Sequence, residues 1–340
     1  MFSHEALLGK LVECDRTHVP GGSLLPREFL RSVLDFVAKY TKLEKLVLGG
    51  TRVTYSPSAL DMNLSLAGDL VAQGEELAEA ERVRFALPVG PILELEYLVE
   101  DQGIKVIPRA FPPGSPARGG FFFDSKLGPC ILLHAAASPA ERDYILAHEY
   151  GHFLADFEPY ITTLCGRPNP EMLLDPHELR AHQFALAFLM SRADVEEYRD
   201  ALGLLPGNPV PVELVRQLAV YFDTDLEIVF WRLVSLGWLD GPRIETLVRE
   251  NPALQDTLRG APEDPGRGGL IPERYVHLVA SAFGRQKIQL QDAAEYLEMN
   301  AAEARRILAT FHPEDPDAPP LTSVDPTPLA PPEPFEPSPN

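Results

Sequence analysis

Two histidines four positions apart, His148 and His152 in the run AHEYGHFLAD, constrain this chain more than any other feature, because the flanking segments fix what they sit on. Ahead of them, SPAE (Ser138 to Glu141) supplies an N-cap, a proline suited to the first helical turn and a glutamate three places after the cap. A helix is therefore expected from Pro139. On it, residues four apart share a face, so both imidazoles stack on one side. Gly151 is a poor helix former, tolerated where another element approaches the backbone closely. A second start signal, DPHE (Asp175 to Glu178), opens a helix through LRAHQFALAFLM to Met190. Upstream, Ile104 to Ile107, Phe121 to Phe123 and Cys130 to Leu133 are short apolar runs parted by Pro and Gly, the pattern of strands in a small sheet. FFFDSKLGPCILL reads as a hairpin. The stretch from Ile104 to Met190 is thus an expected α+β unit built around two capped helices.

Imidazoles at this spacing suit one metal ion. Zinc prefers nitrogen donors in a tetrahedral shell, and a catalytic site leaves one position for water. Glu149 follows His148 directly, too near in sequence to ligate beside it but able to act as the catalytic base on that water. The extended pattern HExxHxxGxxH fails, since Ala155 stands where its glycine would be and Glu158 where its third histidine would be. Candidates for the third ligand are Asp156, Glu158, Glu178 and His182. The best placed is Glu178, which opens the second helix and shares a face with Ala181 and Ala185. The plainer reading of Glu178 is a cap glutamate bonded to the Asp175 backbone. His182, one turn further on, either supports a ligand from behind or donates to the oxyanion. A plain surface histidine is its competing reading.

The remaining chain reads as mainly helical. Helices are expected over Arg27 to Tyr40, Gly74 to Leu87 and Pro91 to Ile104, with Pro91 in a first turn and Gly103 at an end. Val212 to Phe222 and Leu226 to Leu239 follow, the latter opened by a capping box between Thr224 and Glu227. GAPEDPGRGG (260–269) is a linker. Tyr275 to Phe283, Asp292 to Leu297 and Ala301 to Phe311 form a third helical group, with Asn300 and Glu303 as a cap pair. Residues 313–340 hold 11 of the 34 prolines and almost no large apolar residues, so they are expected to be a disordered acidic tail. The resulting division is 1–73, 74–195, 196–259, 270–312 and 313–340.

A net charge of -20 sets the molecule as a whole against phosphate backbones and favours a protein partner with a basic face. The first residues, MFSHEALLGKLVECD, lack the basic and unbroken apolar segments of a secretory signal, and no apolar stretch is long enough to span a membrane. Cys14, Cys130 and Cys165 are odd in number and far apart, which fits buried or neutral reduced thiols in a cytoplasm.

HEYGH followed 26 residues later by ELRAHQFALAFLM resembles the ImmA/IrrE family of bacterial metallo-endopeptidases. The second helix of that family reads approximately ExxANxFAxxLLMP, and its leading Glu is the third zinc ligand. Glu178, Ala181, Phe184, Ala185, Leu189 and Met190 match this pattern, while His182, Phe188 and Ser191 depart from it without removing a ligand. The likeness extends from Gly74 to Asp240. It implies a zincin-like helix and small-sheet peptidase core with mainly helical flanking segments. It also implies one Zn2+ held by His148, His152 and Glu178, with Mn2+ or Fe2+ as other ions such donors accept. Members cleave or help inactivate DNA-binding repressors in stress responses and mobile-element induction, which implies a repressor as substrate. A regulatory protein that keeps the fold and metal but acts only by docking to a repressor or to DNA is the alternative. Residues 1–70 lack a helix-turn-helix pattern. The helix, turn, helix layout of 292–311 offers only Arg305 and Arg306 as basic groups on its second helix, so packing is its better reading.

Overall fold

The computed structural model describes residues 7–9, 11–12, 25–49, 65–156, 164–166, 172–205, 207–252, 254 and 271–310. Cys14, Glu158, the 260–269 linker and the 313–340 tail lie outside the described residues.

At the centre is a four-stranded mixed sheet of β1 (Lys105–Arg109), β2 (Ala117–Asp124), β3 (Gly128–His134) and β4 (Cys165–Gly166), in the order β1-β3-β2-β4. β2 and β3 form the expected antiparallel hairpin, with Phe121 opposite Ile131. Its turn is held by Asp124, whose Oδ1 accepts from the backbone N–H groups of Lys126 (2.8 Å) and Leu127 (3.2 Å). β1 runs parallel to β3, Val106 beside Ile131. The strands read as unbroken apolar runs because both faces of the sheet are covered. Val106, Phe121, Ile131 and Leu133 point into one buried cluster, while Ile107, Phe122, Cys130 and Leu132 point into another.

The first cluster is roofed by α2 (Leu70–Arg84), α3 (Leu95–Asp101), α4 (Pro139–Ala155) and α5 (Pro176–Leu189), then by α6 (Arg192–Ala201), α7 (Val212–Tyr221), α8 (Leu226–Ser235) and α9 (Gly241–Glu250). The second is closed by α1 (Arg27–Leu48), two turns longer than its apolar spacing suggests, together with α10 (Glu273–Gly284), α11 (Leu290–Tyr296) and α12 (Ala301–Thr310). Segments more than 220 residues apart in sequence thus share one sheet face.

Capping decides most helix starts. Ser138 Oγ accepts from Glu141 N (3.0 Å), and Asp175 Oδ1 from His177 N (2.8 Å). Asn300 and Glu303 bond reciprocally, side chain to backbone. Two expectations need correction. The helix expected over Pro91 to Ile104 spans only Leu95–Asp101, because Glu94 just before it takes φ 58, a left-handed conformation that cannot continue a helix toward Pro91. The cap of α8 is Asp225 rather than Thr224. Thr224 is drawn back to close α7, its N–H bonding Ala219 O at 2.9 Å, with Asp223 at φ 48 making the turn.

Candidate metal centre

Helices α4 and α5 cross at Gly151. A Cβ there would lie 2.9 Å from Phe184 Cδ1 and 3.3 Å from the Ala181 Cα, so the expected close approach is made by α5. The crossing brings the start of α5 over the last turns of α4. Beneath α4, β2 passes with Gly119, where a Cβ would collide with Ile145 Cγ2 and reach to 3.4 Å of Glu149 Oε1. Glycine at these two positions lets the histidine helix lie close between the strand and α5.

The donors converge at this crossing. His148 Nε2 and His152 Nε2 are 3.1 Å apart; Glu178 places Oε2 at 3.1 Å from the first and Oε1 at 3.4 Å from the second. Glu178 therefore spends its carboxylate on the imidazoles, and the cap of α5 is left to Asp175 alone. Cys165, from β4, brings Sγ to 3.8 Å of His152 Nε2 and to 3.6 and 3.7 Å of the two Glu178 oxygens. His148, His152, Cys165 and Glu178 are all buried, and one ligand atom from each lies within 4.8 Å of all the others. A tetrahedral ion with bonds of about 2.0–2.3 Å holds its donors roughly 3.3–3.8 Å apart, and the separations here run from 3.1 to 3.8 Å. Two imidazole nitrogens facing each other beside a carboxylate can share either a proton or a metal cation. The residues present fit a metal ion.

The electrostatics agree. Burial works against a charged Glu178, but the His152 and His148 rings beside it hold its carboxyl far below the usual range. Burial likewise opposes a charged His152, yet Glu178 and Asp156 overcome it and raise its affinity for a proton. The cluster attracts positive charge.

Asp156, a candidate ligand by sequence, stands outside the donor group. Its Oδ2 bonds His152 Nδ1 at 2.8 Å, on the ring edge away from the donors, and its Oδ1 takes His177 Nδ1 (2.5 Å) and the guanidinium of the buried Arg180. Arg180 is fixed in turn by Gln73 Oε1 at 3.1 Å. Burial raises the Asp156 carboxyl, but these cationic partners prevail and lower it. His182 is 1% exposed, which removes the surface reading. Its Nδ1 lies 2.6 Å from the Tyr144 hydroxyl, and its ring meets Trp231 edge to face. Burial, aided by His148, lowers its pKa to about 3, so the ring is neutral at neutral pH. Glu149 is fully buried on α4 between the two histidines.

Sequence reasoning missed Cys165 and Tyr144. Tyr144 carried a signal, lying one turn before His148 on the same helical face. Cys165 carried none, because its place depends on strand pairing rather than on spacing from the motif. Cys130, by contrast, is the buried thiol expected: burial pushes it up to about 12.

A small mixed sheet carrying a helix with two histidines, faced by a second helix with a buried glutamate, defines a zincin-like metallopeptidase core. Residues 99–204 match the model of peptidase family M78, described as the IrrE N-terminal-like domain. That stretch contains all four candidate donors and Glu149, and its likeness is to the peptidase domain of the ImmA/IrrE family. No curated protein matches the chain. Among the described residues, no helix is long and apolar enough to cross a membrane.

Proposed function

We propose that this chain is a zinc-dependent, gluzincin-like endopeptidase of the cytoplasm that cuts a regulatory protein, a DNA-binding repressor in a stress or mobile-element response. The observation that carries the proposal is the convergence of His148, His152 and Glu178 donors at the helix that also presents the buried Glu149. Zinc suits a compact set of two imidazoles and a carboxylate, and when bound it polarises the scissile carbonyl and lowers the pKa of water.

The chain's own groups do the rest. Glu149 takes a proton from the attacking water and passes it to the leaving amine. Asp156 holds the His152 ring through Nδ1, which leaves Nε2 as the ligating atom. Burial raises the Tyr144 pKa well above its ordinary value, so the phenol keeps its proton and donates to His182 Nδ1. The single proton of neutral His182 then sits on Nε2, where it can serve an oxyanion. With a net charge of -20 the molecule favours a substrate with a basic surface, as repressors present to DNA.

The four-donor grouping favours a second reading, a closed metal site in a protein that only docks to its repressor. Glu149→Gln separates the two. In cells, new protein N-termini and the induced response should appear with the wild type and vanish with E149Q, while metal content stays unchanged. A response that survives E149Q would sink the peptidase reading.

A further inference from the structure

We infer that Cys165 is a displaceable fourth ligand that keeps the metal site latent, an inference that rests on the metallopeptidase reading above. Cys165 is the first residue of β4, paired with Gly119 of β2, the residue over which Glu149 lies. The strand thus delivers a thiol to the three-donor set. Its Sγ is 3.6 to 3.8 Å from Glu178 oxygens and His152 Nε2, the separation expected of donors sharing one ion. Cys130 provides an internal comparison. It is equally buried, yet its Sγ is directed at the backbone oxygen of Gly128 at 3.6 Å, as a thiol that merely fills space would be.

A catalytic zinc keeps a position for water, whereas four protein ligands close the site. A site closed for purely structural reasons would have no use for a buried base beside it, and Glu149 is that base. Both features are reconciled if the closed form is a resting state. Thiolate ligation releases the thiol proton to solvent; opening returns a proton to Sγ and admits one water, with no change of oxidation state. β4 is built to let go. Among the described residues it is two residues long and pairs with β2 at Ala117 and Gly119, with a register irregularity between them.

The test uses the full chain loaded with Co2+ and compares wild type with Cys165→Ala and Cys165→Ser. The wild type should show a thiolate-to-cobalt charge-transfer band in the near ultraviolet. Both variants should lose it while keeping visible ligand-field bands and one cobalt per chain. Mass-spectrometric mapping of iodoacetamide labelling should find Cys165 protected in the loaded protein and exposed to alkylation after chelation. Hydrolysis of an unstructured protein such as casein should rise in both variants. Ligand-field bands without a charge-transfer band in the wild type would overturn the proposal and leave the metal site standing. So would loss of cobalt from both variants, which would make Cys165 a structural ligand. Failure of any form to bind cobalt would instead bring down the metallopeptidase reading itself.

Discussion

At the scale of single residues, the donors depend on a layer of polar groups behind them. Asp156 gathers His152, His177 and Arg180 on one carboxylate, and its charge is what keeps the His152 ring oriented and electron-rich. Asp156→Asn preserves the shape and removes the charge. It should weaken metal affinity about 10–100-fold, measured by competition against a chelating indicator, with little change in the helical signal. Undiminished affinity would show that Asp156 merely neutralises Arg180. The histidines and Glu149 are legible in sequence because one helix carries them all. The role of Asp156 is not, since a carboxylate four residues after His152 can ligate or support, and only ring orientation decides.

At the scale of elements, the site is made by the crossing of α4 and α5, and the crossing by the absence of side chains. Gly151→Ala should gain about 1 kcal/mol of helix propensity. It should lose more through the 2.9 Å encounter with Phe184 and the contact with the Ala181 backbone, where overpacking costs about 1–3 kcal/mol. A net loss of stability on denaturant unfolding is expected, together with weaker metal binding as α5 and Glu178 are pushed outward. Metal binding unchanged by G151A would mean that α5 can slide without moving Glu178. Sequence signals located both helices through their caps, Ser138 and Asp175, since caps are local chemistry. They overextended the helix before β1, because apolar periodicity does not register the left-handed turn at Glu94 that starts the helix only at Leu95.

At the scale of the whole molecule, a second buried polar group ties the flanking helices to the sheet. Lys105 of β1 pairs with Glu44 of α1 at 2.9 Å, both fully buried. Arg274 of α10 reaches Glu44 (3.6 Å) and donates to the Glu100 backbone oxygen (2.5 Å). The Glu100 carboxyl accepts from Tyr40 at 3.2 Å. Burial, reinforced by Glu96 and Glu44 against Arg274, raises Glu100 to about 8. An unfolded glutamate titrates near 4.3. Between about 4.3 and 8 the folded chain therefore holds a proton that the unfolded chain has released, and stability falls as pH rises through that window. Glu100→Gln does not titrate. It should be more stable than the wild type at pH 8 by about 1–3 kcal/mol, the gap shrinking toward pH 5. Parallel stability curves for the two proteins across that range would contradict the assignment.

By itself, the sequence determined what is local: the helix carrying His148, Glu149 and His152, the capped helix whose first turn holds Glu178, the hairpin, and the α+β character of the unit. Each is set by contacts within a few residues, through caps, periodicity and turn chemistry. Tertiary structure decided what depends on meeting across distance. It placed Arg27–Leu48 and Glu273–Thr310 on the same face of the sheet, and it brought Cys165 into the donor set through a two-residue strand. Strand pairing and sheet burial join residues without regard to their separation along the chain, so no spacing rule could have announced a thiol beside the candidate donors.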